Sequence, residues 1–244
     1  MAGHSKWHNI QRAKGAQDAK RAKIFTKVAR EMIVAVKEGG SGDIENNSRL
    51  AAAVAKAKAA NMPNDNIKRT IEKALGSGSG DNYESVAYEG YGPGGVAVIV
   101  DAMTDNRNRT AAEMRHHFDK YGGNMGTTGC VSWSFHRKGV IIIDNEDGSI
   151  VEENALNDAL EAGADDIETG EGVFEVYTAP DDFAAVSGAL EDAGYSFLSA
   201  QVEMVPQSFI MLTDPDDIKN MEKMLDLMED SDDVQNVWHN YERS

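Results

Sequence analysis

The chain has 244 residues, 41% hydrophobic and 27% charged, with a formal net charge of −17 and one cysteine, Cys130. This ordinary balance excludes a fibrous or wholly disordered chain, and the length suggests two or three domains. No apolar run reaches the roughly 18 residues of a membrane span, no signal-peptide core follows the basic N-terminus, and a lone cysteine fits a reducing, cytoplasmic setting.

Residues 1–15 are polar and basic and read as an arm. Residues 16–38 read as a helix, because Phe25, Val28, Met32 and Val36 recur at helical spacing. Gly39 and Gly40 stop it. Residues 44–61 form a second, Ala-rich helix with Leu50, Val54 and Ala57 on one side. Pro63 suits the first turn of a third, striped by Ile67, Ile71 and Leu75. The run GSGSG at 76–80 is a linker. Beyond it the pattern predicts a strand at 96–100, a helix at 107–121, a strand at 130–136 and another from Val140 to Ile143. Helices at 151–162 and 181–193 follow, each leading into a strand, at 172–178 and 197–205. Strands at 209–212 and 234–241 flank a helix at 215–229.

These elements predict an α+β protein: an N-terminal three-helix domain, then two ferredoxin-like α/β domains, one inserted in the other. The expected parts are a basic helical domain (1–75), a linker (76–80), a discontinuous α/β domain (81–138 plus 206–244) and an acidic inserted one (139–205).

The net charge hides a segregation. Residues 1–75 carry 15 Lys/Arg against 7 Asp/Glu, a balance of +8, whereas 139–205 carry 17 acids and no Lys or Arg. Such asymmetry is the cue for a polyanion partner at one end. On a helical wheel Lys20, Lys23, Lys27 and Arg30 fall within about 80°, nearly opposite the apolar stripe. Lys6, Arg12 and Lys14 extend the positive field along the arm. Cations in a row release counterions from phosphates. A charged face can also be merely solvated, but only Asp18 and Glu31 interrupt the basic run up to residue 37. Trp7 either stacks on an unpaired base or packs the arm onto the helices. Arg107 and Arg109, beside a helix N-terminus that Thr104 or Asp105 is placed to cap, make an anion site or a cap with salt bridges to Asp101 or Glu113.

Five stretches carry a resemblance. MAGHSKWHNIQRAKGAQDAKRAKIFTKVARE at the start, NMPNDNIKR at 61–69, YEGYGPGGVAVIV at 88–100, TDNRNRTAAEMR at 104–115 and GCVSWSF at 129–135 resemble the YebC family along essentially the whole chain. The resemblance implies a helical first domain, two α/β domains and no enzymatic activity. It implies a DNA-binding transcriptional regulator, or a translation factor acting on the ribosome. It maps the family's basic N-terminal residues onto Lys6, Lys14, Lys20, Arg21, Lys23, Lys27 and Arg30, while His8 and Gln11 depart from the common pattern.

Other motifs are weaker. Gly90, Gly92, Gly94 and Gly95 precede a strand and lack the Lys of a phosphate loop. Gly122, Gly123, Gly126 and Gly129 either bring backbone close to RNA or simply end a helix and form a loop. Asp144, Glu146 and Asp147 resemble a calcium loop, but the twelfth position is Ala155, not Glu. No catalytic, metal or cofactor set is expected. The expected partner is nucleic acid, as DNA or structured RNA including the ribosome, with the acidic insert a spacer or a surface for a basic protein. The rival class is a protein-interaction module without nucleic acid.

Overall fold

The computed structural model describes residues 17–76 and 83–242. Three helices come first: α1 (Gln17–Gly39), α2 (Ser48–Ala59) and α3 (Asn64–Leu75). Gly40, at φ +63°, turns the chain out of α1 where a side chain would be strained. Asn47 caps α2 by accepting from Leu50 N–H at 3.0 Å, and its amide donates to Ala35 O and Ser41 O, tying the cap to α1. Pro63 sits just before α3, at its cap rather than inside its first turn. Val28, Met32 and Val36 enter one core with Leu50, Ala53, Val54, Ala57 and Ile67, and Phe25 lies half-buried at its edge. Each large side chain buried there contributes about 1.5–3 kcal/mol.

The chain continues through β1 (Glu84–Tyr91), β2 (Ala97–Thr104), α4 (Arg107–Lys120) and the short β3 (Asn124–Met125). Next come β4 (Phe135–Asp144), α5 (Glu152–Ala162), β5 (Asp166–Gly170), β6 (Val173–Thr178), α6 (Phe183–Asp192), β7 (Phe197–Pro206) and β8 (Ile210–Met211). The last elements are α7 (Pro215–Asp230), β9 (Val234–His239) and β10 (Tyr241–Glu242).

The described residues divide into two compact units. One holds 17–131 with 213–237, and the other 132–212 with 238–242. The second therefore begins a few residues before the charge break at 139. In the first unit the sheet runs β3-β1-β2-β9, with the β1–β2 hairpin at its centre, in register from Glu84↔Thr104 to Tyr91↔Ala97. Strand β1 escapes sequence periodicity because its inner face carries a carboxylate. Glu89 is buried and accepts from Gly129 N–H at 2.8 Å and Val131 N–H at 3.0 Å. Those bonds hold 129–131 in a loop, so the strand expected at 130–136 starts only at Phe135, after a 3-10 turn at Ser132–Ser134. Gly122 and Gly129 adopt φ of +83° and +89°, a left-handed backbone that favours glycine.

In the second unit the sheet order is β5-β6-β4-β7, all antiparallel, with α5 and α6 as crossovers. This is the β-α-β-β-α-β connectivity of a ferredoxin-like domain. Strand β5, unseen in the sequence, completes the count. Ile141, Ile143, Phe174 and Val176 pack against Ala155, Ala159, Val186 and Leu190 of the two helices. On the opposite face Val140, Ile142, Val173 and Tyr177 surround the buried Glu175. The acids at 144–147 form tight turns, with Asp144 and Asp147 accepting from the N–H groups of Glu146 and Ser149.

A Cβ on Gly90 would meet Asn124 O at 2.6 Å and Phe118 Cε1 at 2.9 Å, and backbone cannot move aside cheaply. Gly90→Ala is therefore expected to lose about 1–3 kcal/mol in denaturant unfolding. The Glu175 carboxyl is pushed up from 4.5 to about 7 by burial, against the Tyr177 O–H bond at 3.0 Å that favours its ionised form. The folded state thus holds a proton the unfolded chain has lost, and stability falls as pH rises from about 4.5 to about 7. Glu175→Gln is expected to melt higher than wild type at pH 8 and level with it near pH 4.5; equal pH profiles would refute the assignment.

Candidate nucleic-acid interface

The described cations of the α1 row converge on the end of α7. Lys23 Nζ lies 2.8 Å from Asp230 Oδ1 and 3.3 Å from Asp230 O. Lys27 Nζ donates to Glu229 O at 2.8 Å. These oxygens belong to the last turn of a helix, where carbonyls lack intrahelical partners and the macrodipole is negative. Burial lowers the Lys27 pKa, opposed by the Glu229 charge. Arg30 Nη1 donates to Asp233 Oδ1 at 2.5 Å, Asp232 O at 2.6 Å and Met103 O at 3.2 Å, and its guanidinium lies 4.9 Å from the Tyr83 ring centre. Its side chain is only 14% exposed.

Asp233 is the hub. Its Oδ2 accepts from Thr110 Oγ1 at 2.7 Å, Arg109 Nη2 at 2.8 Å and Thr104 Oγ1 at 3.2 Å, while Oδ1 takes Arg30. Burial pushes its carboxyl up, but hydrogen bonds from Arg109, Thr110 and Arg30, with the Arg30 charge, outweigh that and hold it down at about 2. Arg109 also pairs with Asp105 at 2.8 Å. Arg107 is 60% exposed, with Glu84 at 3.4 Å. The cap of α4 is Asn106, whose side chain accepts from Arg109 N–H at 3.1 Å, and Thr104 Oγ1 accepts Asn106 N–H at 2.9 Å. This corrects the expectation of Thr104 or Asp105 as the cap, and of Asp101 or Glu113 as the paired acids.

Lys20 and Arg21 lie in the first turns of α1, their side chains outside the described residues. Lys6, Trp7, Arg12 and Lys14 also lie outside them. The structure thus brings Arg30 and Arg109 together through Asp233, and sets Lys23 and Lys27 beside them on the end of α7.

Two surface features went unflagged by sequence. An open groove of about 360 Å³ lies between α1 and α3, lined by Phe25, Ala29, Met62, Asn66, Arg69 and Thr70. The available signal was Lys68-Arg69, both exposed, in the stretch NMPNDNIKR. Trp133 is 72% exposed, on the 3-10 turn where the sequence predicted a strand. Among the described residues no group of three His, Cys, Asp or Glu is placed to hold a metal, and no helix is long and apolar enough to cross a membrane.

Comparison with known proteins adds the lineage. Residues 5–77 match the family model of the TACO1/YebC protein N-terminal domain, and 83–241 that of the TACO1/YebC second and third domain. A "probable transcriptional regulatory protein" of Acetivibrio thermocellus is 57% identical over 241 residues, covering 99% of each chain. One of Geobacillus kaustophilus is 54% identical over 244 residues, covering 100% of this chain and 98% of the relative. The crystal structure of a conserved hypothetical protein from Aquifex aeolicus matches with a TM-score of 0.85 at 44% identity, over 95% of this chain and 94% of that one.

The Asp233 hub generates a prediction. Asp233→Asn is expected to lose about 3 kcal/mol of unfolding free energy, because two arginines then share a neutral acceptor. The carboxylate's pKa lies below its ordinary 3.8, so its stabilisation is full above about pH 4 and lost as pH falls toward 2. The variant should show a flatter decline of melting temperature across that window; an unaltered acid limb would remove Asp233 from its cause.

Proposed function

Because the chain belongs to the TACO1/YebC family, we propose that it is a non-enzymatic, cytoplasmic regulator of gene expression that binds nucleic acid through its N-terminal segment. The observation that carries the reading is charge. A balance of +8 sits in residues 1–75 of a chain whose net charge is −17, and such concentration serves a polyanion partner. The relatives' name, probable transcriptional regulatory protein, supports a regulator. Lys6, Arg12, Lys14, Lys20 and Arg21 neutralise phosphates, Lys23, Lys27 and Arg30 extend the same face, and Trp7 stacks on a base. Arg107 and Arg109 make a second contact, Arg107 being the more exposed. The acidic insert then serves as a spacer or meets a basic protein.

A second reading, structured RNA of the ribosome rather than duplex DNA, is favoured by the chemistry of the row. Lysines position a phosphate backbone but read no base edge. The reading makes the protein an elongation-assisting translation factor.

Replacing Lys6, Arg12 and Lys14 by Glu leaves every described contact intact. Binding to poly-uridylate and to a mixed-sequence DNA duplex is expected to weaken at least about tenfold at low salt, with a shallower dependence of affinity on salt. Unchanged binding would favour the protein-interaction class instead. On sucrose gradients of lysate, wild type travelling with ribosomal particles and the variant staying at the top would select RNA. Wild type at the top would select DNA.

A further inference from the structure

Resting on the nucleic-acid reading above, we infer that the C-terminal end of α7 and the turn after it are a built-in competitor for the α1 cations. A polyanion gains Lys23, Lys27 and Arg30 by displacing that segment.

The segment imitates what it competes with. Residues 226–233 hold five acids and no base. They present to α1 a succession of oxygens: Glu229 O, the Asp230 carbonyl and carboxylate, Asp232 O and the Asp233 carboxylate. Partly negative carbonyls at a helix end and neighbouring carboxylates offer a row of cations the ligands that a run of phosphates would.

The contact is also built to part. Among the described residues, the three-helix core takes only Tyr83 from beyond the linker, and none of the buried α7 residues Met221, Met224, Leu225 and Met228 belongs to it. The bonds between α1 and the end of α7 are polar, so they exchange for water or phosphate more readily than an apolar seam would. At the rim, Lys23 and Asp230 are 41% and 71% exposed, where an ion pair is weak and yields to salt. At the centre, the departure of Arg30 leaves Asp233 with Arg109, Thr110 and Thr104, so no bare carboxylate is stranded. The Arg30 guanidinium gives up the oxygens of Asp232 and Asp233, and a phosphate replaces them in bidentate geometry.

The test reads the Lys23–Asp230 contact directly. A water-soluble carbodiimide joins an amine to a carboxylate only when they touch, and the linked peptide is counted by mass spectrometry. Poly-uridylate or a mixed-sequence DNA duplex is titrated into the full chain beforehand. Cross-link yield is expected to fall as the polyanion saturates. Asp230→Lys, at an exposed position that disturbs no core, is expected to bind about fivefold tighter at low salt, the gain shrinking as salt rises. Binding by Asp230→Lys alone, with wild type inert, would support the competitor in its fullest form. A yield unchanged at saturation, with Asp230→Lys no tighter, would overturn the competitor and leave the nucleic-acid reading standing. Binding by neither chain would overturn both.

Discussion

One buried carboxylate sets the geometry of the first unit. Asp233, 7% exposed, sits between two arginines and two threonines from three different elements. A carboxylate so removed from water is tolerable only when its lone pairs are filled. Filling them fixes the end of β2 through Thr104, the first turn of α4 through Arg109 and Thr110, and the middle of α1 through Arg30. The Met103 N–H to Asp233 O bond at 2.7 Å holds the same turn to the sheet by its backbone. Helical segment, sheet and α4 thus share one electrostatic origin.

That hub changes the meaning of the basic row. Viewed on a wheel, Lys23, Lys27 and Arg30 are cations facing solvent. In the fold they face carbonyls and carboxylates of α7 and the turn after it. On the proposed reading, a polyanion partner reaches these three cations by exchanging one set of anionic oxygens for another. The arm and the start of α1 add Lys6, Arg12, Lys14, Lys20 and Arg21 to the positive charge, and Arg69 of α3 lines a groove beside α1.

The second unit solves a different problem. Its inner strand β6 is buried on both faces, so it reads Val-Phe-Glu-Val-Tyr-Thr without clean alternation, and all six residues are buried. The carboxyl of Glu175 accepts the Tyr177 hydroxyl and is driven toward neutrality by burial, whereas Asp233 is held ionised by its donors. Partner supply, not burial alone, separates the two acids.

By itself the sequence determined the helices, because apolar residues at a period near 3.6 permit little else. It determined the family through five ordered motifs, and the segregation of charge through composition. It did not reveal β1, β3 or β5: the first hides a functional-looking Glu inside a sheet, the second is two residues long, and the third is a half-buried edge. Nor did it reveal where the cations go. A wheel assigns a side chain its direction from one helix, while its partner is chosen by whatever segment the tertiary fold brings against that direction. Here Asp230 and Asp233, some two hundred residues away in sequence, arrive there through the sheet. Long-range pairing of charges leaves no periodic trace, so only the tertiary structure decided it.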